Sequence, residues 1–180
     1  MMTLLSAALA IGAQMQSPDG TFTAVTSDSR AIVTGDLFVA IKGDHFDGHA
    51  FVADAIKQGA AGALVSQEFA ASHPTLPLIA VADTRLALGA LAAAWRARFT
   101  LPLIGVTGSN GKTTVKEMCA AILHAQGGEV LATIGNLNND IGLPLTLLKL
   151  RDTHASAVIE MGMNHAGEID YLTHLAKPTV

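Results

Sequence analysis

The chain has 180 residues, of which 50% are hydrophobic and 14% are charged, and its formal net charge is −4. This length suits one large domain or two small ones, with enough apolar material for a buried core. The acidic balance, without a cluster of Lys and Arg, excludes an ordinary nucleic-acid-binding surface. The single cysteine, Cys119, excludes an intramolecular disulfide, and its apolar helical surroundings indicate a small buried residue.

The first 15 residues are apolar, but no positive charge precedes their apolar stretch. A secretory signal peptide needs such a charge, and the stretch is shorter than the roughly 20 residues that span a bilayer. We therefore expect a helix over residues 4–13 and a cytoplasmic protein without membrane insertion.

Short apolar or β-branched runs alternate along the chain with longer Ala- and Leu-rich stretches of helical spacing. The predicted strands are 22–25, 37–41, 62–65, 78–81, 103–106, 129–133 and 157–160. The predicted helices are 50–59, 84–99, 112–126, 141–150 and 168–176. This alternation predicts an α/β fold with βαβ units and a mainly parallel sheet.

A domain boundary is predicted at residues 83 and 84, where short strands and turn signals give way to a long helix. Residues 1–83 form a small α/β domain in this interpretation, and residues 84–180 form a parallel-sheet domain. Pro178 ends the last helix, and Thr179 and Val180 resemble the start of another strand. We therefore expect the second domain to be incomplete at its C-terminus.

A phosphate-binding loop is predicted between the strand at 103–106 and the helix that begins at Lys112. The sequence of residues 107–114 is TGSNGKTT. Glycines let backbone N–H groups converge on phosphate oxygens, and the helix N-terminus adds positive potential. Lys112 is expected to reach the β- and γ-phosphates, and the Thr113 hydroxyl to bind Mg²⁺. The general pattern has Gly at the position of Val106, so the match departs from it at one residue.

Two polar segments follow later strands. Asn136, Asn138, Asn139 and Asp140 come after the strand at 129–133, where they could bind a ligand or form a turn and helix cap; the pattern leaves both open. Glu160 ends an apolar strand and is a natural Mg²⁺ ligand, the alternative being a carboxylate in solvent. The segment formed by Asn164, His165 and Glu168 is interpreted as a loop and helix start, with His165 more often structural than catalytic.

In the first domain, hydroxyls and an Arg follow one predicted strand at 26–30, and a Gly-rich turn at 43–49 follows the next. Such groups can hold a diphosphate or a nucleoside, although Ser-, Asp- and Gly-rich runs are most often plain loops.

The segments at 107–114, GNLNNDIGLPLTLL at 135–148 and EMGMNHAGEI at 160–169, with 28–30 and 35–40, resemble the Mur ligases of peptidoglycan synthesis. The similarity extends from about residue 27 onward. The departure at Val106 is the family's own form. The last two runs resemble its dipeptide-adding members in particular.

The resemblance implies the following site residues. ATP would be held by Gly108, Ser109, Asn110, Gly111, Lys112, Thr113 and Thr114, with Asn136 or Asn139 on the nucleotide and metal side. Mg²⁺ would be bound by Thr113 and Glu160, with Lys112 and Glu160 as catalytic residues. The UDP end of the substrate would be bound by Ser29, Arg30, Asp47, Gly48 and His49.

The implied reaction is ATP-dependent amide formation through an acyl phosphate, with UDP-N-acetylmuramoyl-tripeptide and D-alanyl-D-alanine as substrates. A monomer is expected, and the 180 residues alone are not expected to ligate, because family residues beyond this segment are needed. The alternatives are a different amide ligase similar to folylpolyglutamate synthase, a non-catalytic nucleotide-binding module, and a phosphate-loop hydrolase acting on a macromolecule. No basic surface in the sequence supports the last.

Overall fold

The apolar runs form strands of parallel sheets in the computed structural model, which describes residues 1–16, 19–43 and 46–180. In the first part of the chain a five-stranded sheet has the order β2-β7-β6-β5-β4, in which β4 to β7 are parallel and β2 is antiparallel to β7. Its strands are β2 (Gln14–Gln16), β4 (Ala24–Thr26), β5 (Asp36–Val39), β6 (Gly62–Ser66) and β7 (Leu78–Val81). A separate antiparallel pair consists of β1 (Met2–Thr3) and β3 (Thr21–Phe22).

Helices connect these strands and cover their apolar side chains. They are α1 (Leu4–Ala10), a 3-10 helix (Gly48–Phe51) that leads into α2 (Val52–Lys57), α3 (Gln67–Ser72) and α4 (Thr84–Arg96). One buried cluster contains Phe38 of β5 and Val65 of β6, together with Val52 and Ala55 of α2. Strands β5, β6 and β7 are almost wholly buried, which explains their near-continuous apolar sequences.

The chain divides into two compact units, Met1–Leu91 and Ala92–Val180, and the division lies inside α4. The boundary predicted from sequence lies at the first residue of the same helix. The interior of a long helix contains no turn residues that would indicate a domain boundary. The start of the helix is therefore the position that a sequence can indicate.

The second unit contains a three-stranded parallel sheet of order β8-β10-β9. Its elements are β8 (Leu103–Val106), α5 (Lys112–Ala125), β9 (Glu129–Ala132), α6 (Gly142–Leu147), β10 (His154–Glu160) and α7 (Glu168–Ala176). Residues Thr179 and Val180 donate backbone hydrogen bonds to Leu103 on the free side of β8, and Gly105 donates to Val180. These two residues thus pair with β8 through their backbone, although they are not assigned to a strand.

The α/β fold class is confirmed, and six of the seven predicted strands each overlap one observed strand, whereas the predicted strand 22–25 is divided between β3 and β4. Three short elements, β1, β2 and α3, were not predicted. Gln14–Gln16 is only three residues long with a single apolar residue, too little to indicate a strand, and it is held in the sheet by pairing with β7. Cys119 is only partly buried, and it packs at the edge of a small cluster with Val106 and Val158. None of the helices in the described ranges is both long and apolar enough to cross a membrane.

Candidate functional site

The turn between β8 and α5, predicted to bind phosphate, has two glycines in backbone conformations that other residues rarely adopt. Gly111 is the N-cap of α5 and has a φ of 77°, and Gly108 has a φ of 143°, a region that favours glycine. The Lys112 amino group donates to the Gly108 carbonyl oxygen at 2.8 Å, so it lies folded back across the turn. A cavity of about 460 Å³ adjoins the turn and is lined by Thr107, Gly108, Ser109, Lys112, Met163 and Ile169. The amide-rich helix start and the amino group together suit a polyphosphate.

Glu160 lies beside this turn because β10 pairs directly with β8, in a register that places Glu160 opposite Val106. The residue is 2% exposed, so the solvent-facing alternative is excluded. Its Oε2 accepts a hydrogen bond from the Thr113 hydroxyl at 3.0 Å, and its Oε1 accepts one from Asn138 Nδ2 at 2.7 Å. The predicted metal residues Thr113 and Glu160 are thus in direct contact.

The loop after β9 contributes Asn138, which belongs to the predicted polar run but is not among the residues that the resemblance implies. Asn139 instead accepts hydrogen bonds from the backbone of Ile141 and Gly142, at 3.2 and 2.8 Å, and so caps the start of α6. Asn136 is exposed. The described contacts therefore place Asn138, rather than Asn136 or Asn139, against Glu160. Asn139 therefore forms the helix cap that the pattern allowed, and Asn138 lies against the candidate metal residue.

A glycine next to the strand end makes room for Asn138. Gly162 follows Glu160 by two residues, and a Cβ at this position would lie 2.8 Å from Asn138 Oδ1. The Gly162 N–H also donates to the Asn138 carbonyl oxygen at 2.8 Å. The glycine therefore gives Asn138 its space and its backbone partner beside the carboxylate.

Two further buried polar residues, Lys116 and Thr133, contact the same region and were also not predicted. The Thr133 hydroxyl accepts a hydrogen bond from the Glu160 N–H at 2.9 Å. The Lys116 amino group donates to the Thr133 carbonyl oxygen at 2.7 Å. Farther on, the Glu168 carboxylate accepts from the backbone N–H groups of Asn164 and His165, which is the loop and helix start expected there.

The oxygen atoms of Thr113 and Glu160 fit a magnesium ion, because hydroxyl and carboxylate oxygens are ligands that Mg²⁺ accepts. Groups of three or more His, Cys, Asp or Glu that could hold a metal are absent from the described residues. Two protein ligands with phosphate and water oxygens are the usual coordination of Mg²⁺ at a nucleotide.

In the first unit, Asp47 and His49 line a cleft of about 580 Å³ at the carboxyl ends of β5, β6 and β7. Asp47 Oδ1 accepts from the His49 backbone N–H at 2.9 Å and lies 2.6 Å from His49 Nδ1. These two contacts, in that order, lower the pKa of Asp47. His49 Nε2 accepts from the Ser66 N–H at 2.9 Å, which fixes the turn between β6 and α3.

The other predicted substrate residues have different surroundings. Gly48 is buried, and a Cβ there would lie 2.9 Å from the Ile41 backbone, so only glycine fits. Ser29 and Arg30 follow β4, the neighbouring strand of the sheet. Arg30 pairs with Asp28 at 2.8 Å, and this side-chain hydrogen bond is the main reason that the pKa of Asp28 falls from 3.8 to about 2. Two other residues of the turn, Asp44 and His45, lie outside the described residues.

Two family models match the chain. The model described as "Mur ligase middle domain" matches residues 106–180, and that described as "Mur ligase family, catalytic domain" matches residues 21–96. The chain is 50% identical over 171 residues to the UDP-N-acetylmuramoyl-tripeptide–D-alanyl-D-alanine ligase of Escherichia coli (strain K12), covering 93% of the chain. The chain belongs to the Mur ligase family.

Structures of Mur ligases share the fold. The crystal structure II of MurF from Acinetobacter baumannii covers 98% of the chain, with a TM-score of 0.85 and 40% identity. MurF ligase from Thermotoga maritima in complex with ADP covers 86%, with a TM-score of 0.74 and 34% identity. The chain spans only 36% of the Escherichia coli relative, and 39% and 35% of these two solved chains.

Proposed function

We propose that this chain is the nucleotide-binding and UDP-substrate-binding part of an ATP-dependent ligase. The whole enzyme would add D-alanyl-D-alanine to UDP-N-acetylmuramoyl-tripeptide. The observation that carries the proposal is the contact of Thr113 with Glu160 beside the phosphate loop that ends at Lys112. The names of the relatives supply the substrate pair.

In this proposal the tripeptide carboxylate takes the terminal phosphoryl group of ATP and releases ADP. The amine of D-alanyl-D-alanine then attacks the acyl carbon, and phosphate leaves as the amide forms. Lys112 would leave the Gly108 carbonyl and bind the β- and γ-phosphates, where its charge offsets the repulsion between two anions. Thr113 and Glu160 would hold Mg²⁺, which supplies charge stabilisation at the transferring phosphoryl group.

The remaining phosphate-loop residues have supporting roles. The backbone N–H groups of residues 108–114 would bind phosphate oxygens at the start of α5. Asn138 would orient the Glu160 carboxylate through its 2.7 Å hydrogen bond. Asn136, which is exposed, remains a proposed nucleotide contact, whereas the Asn139 side chain is engaged by the start of α6.

The cleft that Asp47 and His49 line is the proposed site for the UDP end of the substrate. Ser29 and Arg30 would approach it from the end of β4, and the Gly48 turn would offer its backbone. Calorimetric titration with UDP-N-acetylmuramoyl-tripeptide tests this site, with UDP-glucose as the control ligand. Asp47→Ala should weaken binding, whereas Asp54→Ala, which removes an exposed carboxylate on α2, should not.

Titration of MgATP into the 180-residue chain tests the nucleotide site. We expect binding that Lys112→Met weakens and that Lys149→Met, at an exposed position after α6, leaves unchanged. Equal binding by the two variants would refute the role of the phosphate loop.

We also propose that the 180 residues bind both ligands without ligating them, because they span about a third of the curated relatives. Amide formation by the purified chain at the rate of a full-length relative would contradict this. The chain is expected to be monomeric and, since its proposed substrates are nucleotide-linked precursors, cytoplasmic. Substrate-independent nucleotide binding, with no affinity for the UDP-linked tripeptide, would favour the alternative of a nucleotide-binding module.

A further inference from the structure

Lys116 is a fully buried amino group on α5, which is unusual because burying such a group is costly unless it is paired. Its Nζ has two partners in the described structure. One is the Thr133 carbonyl oxygen at 2.7 Å, and the other is Glu117 Oε1 at 2.8 Å, on a side chain that is 66% exposed. The proposed chemistry uses none of these contacts, so the buried amino group needs another explanation.

The contact with Thr133 changes how β9 ends. In a parallel ladder, one residue bonds to two residues of the neighbouring strand that are two positions apart. Its N–H donates to the carbonyl oxygen of the first, and its carbonyl oxygen accepts from the N–H of the second. The Thr133 N–H donates to the Val158 carbonyl, so a continued ladder would pair the Thr133 carbonyl with the Glu160 N–H. The carbonyl instead accepts from Lys116, and the Glu160 N–H donates to the Thr133 hydroxyl.

Helix α5 therefore reaches Glu160 by two routes. Thr113 contacts the carboxylate directly at 3.0 Å. Lys116, three residues later and on the same face of the helix, holds the Thr133 backbone, and Thr133 holds the Glu160 backbone. Both Thr133 and Glu160 are 2% exposed, so water does not compete freely with these bonds.

We propose that Lys116 is a positioning residue that sets the Glu160 carboxylate at the nucleotide-bound metal by holding Thr133. The inference rests on the proposed Mg²⁺-nucleotide site. Some residues contact a metal ligand but not the metal itself, and so orient the ligand. Replacing such a residue changes metal affinity by about 10–100-fold. Lys116 is expected to act on metal-dependent binding and to have little effect on nucleotide bound without metal.

The test is calorimetric titration of ADP into the 180-residue chain, with Mg²⁺ and with EDTA, for the wild type and Lys116→Met. We expect the variant to lose about 10–100-fold in affinity with Mg²⁺ and to match the wild type in EDTA. An equal loss in both conditions would overturn the inference, since a merely structural role weakens both. If the wild type shows no Mg²⁺-dependent binding, the proposed function itself fails, which is a separate result.

Arg96→Met is the matched control. Arg96 is a buried cation of the same unit that donates to the backbone carbonyls of Phe99, Ala176 and Lys177, away from the phosphate loop. The Arg96→Met substitution should lower the unfolding midpoint. It should leave unchanged the ratio of the ADP affinity with Mg²⁺ to the ADP affinity with EDTA. A change of that ratio by Arg96→Met similar to that by Lys116→Met would show that general destabilisation is the cause.

Substitutions at Thr133 provide a second test, which applies even if Lys116→Met does not fold. Thr133→Val removes the hydroxyl but retains the carbonyl, and Thr133→Ser retains both. We expect the Val variant alone to lose Mg²⁺-dependent affinity. In a double-mutant cycle the losses from Lys116→Met and Thr133→Val should be non-additive, because both act on one path. Wild-type affinity of Thr133→Val with Mg²⁺ would overturn the inference.

Discussion

The side chains of Thr113 and Glu160 are 47 residues apart in sequence and meet at 3.0 Å, because β8 and β10 are adjacent strands of one sheet. Thr113 is the second residue of the helix after the phosphate loop, and Glu160 is the last residue of the neighbouring strand. The pair brings a hydroxyl and a carboxylate to the point where polyphosphate is expected. The negative charge of the pair lies on the Glu160 carboxylate. We therefore expect this charge to determine how nucleotide binding depends on Mg²⁺.

Glu160→Gln is predicted to reduce the metal dependence of nucleotide binding. With Mg²⁺ the variant should bind ATP more weakly than the wild type, because a metal ligand has been lost. With EDTA it should bind at least as well, because a buried negative charge no longer repels the phosphates. Calorimetry in both buffers measures the two affinities.

Glu129→Gln provides the matched control for this prediction. Glu129 is an exposed carboxylate at the start of β9 in the same unit, where it accepts from the Thr153 hydroxyl. The control variant should behave as the wild type in both buffers. Weaker binding of metal-free ATP by Glu160→Gln would contradict the predicted electrostatic role.

Gly111→Ala is predicted to destabilise the second unit and to weaken nucleotide binding. Gly111 has a φ of 77°, and a Cβ there would meet nothing within 4 Å, so the cost is backbone strain alone. Such strain amounts to roughly 1–2 kcal/mol for a non-glycine residue. Gly127→Ala, after the other end of α5 with a φ of 93° and equally open space, should cost a similar amount of stability. Denaturant unfolding measures both losses, and only Gly111→Ala should alter nucleotide affinity.

The Asp28 carboxyl is predicted to titrate near pH 2 in the folded protein, since its pKa is lowered from 3.8 to about 2, chiefly by the side-chain hydrogen bond from Arg30. Arg30→Gln should return the value toward 3.8. Carbon-13 detected NMR of the carboxyl group measures the titration directly. An unchanged pKa in the variant would show that the pair does not persist in solution.

This pair also predicts the sign of a pH effect on stability. The folded pKa of Asp28 lies below its unfolded value, so the stabilisation is fully present above pH 3.8 and is lost as the pH falls toward about 2. Asp28→Asn should therefore differ from the wild type in unfolding midpoint at neutral pH and converge with it near pH 2. The group is exposed, so the difference is expected to be small.

His49 is predicted to carry its proton on Nδ1 when neutral. The Ser66 N–H donates to Nε2, which must therefore be unprotonated, and Nδ1 faces Asp47 at 2.6 Å. Long-range nitrogen-15 NMR distinguishes the two tautomers, and the spectrum of His49→Asn assigns the signal. A proton on Nε2 would be incompatible with the Ser66 hydrogen bond.

The sequence predicted those parts of the site whose residue types are dictated by local backbone chemistry. Gly108, Gly111 and Lys112 follow an apolar strand and precede a helix, and this context leaves few other interpretations. Glu160 was predicted for the same reason, as a carboxylate at the end of a buried strand. In each case the signal lies within one strand and the turn after it.

The parts that were missed depend on pairings between distant segments. Asn138 reaches Glu160 only because the loop after β9 approaches the end of β10, and three neighbouring asparagines look alike in sequence. Lys116 lies on a helix where a lysine ordinarily faces solvent, so nothing local shows that it is buried. Likewise, β2 has strand structure through its pairing with β7 rather than through its own composition.

The middle position of β10 in the sheet bears on how the second unit forms during synthesis. Strands β8 and β9 have β10 as their common neighbour, and this strand is the last of the three to leave the ribosome. Until it inserts, the phosphate loop has its glycines and Lys112 but lacks the carboxylate, and two apolar strands lack a partner. Insertion of β10 would join β8 to β9 and form the candidate metal site in the same event.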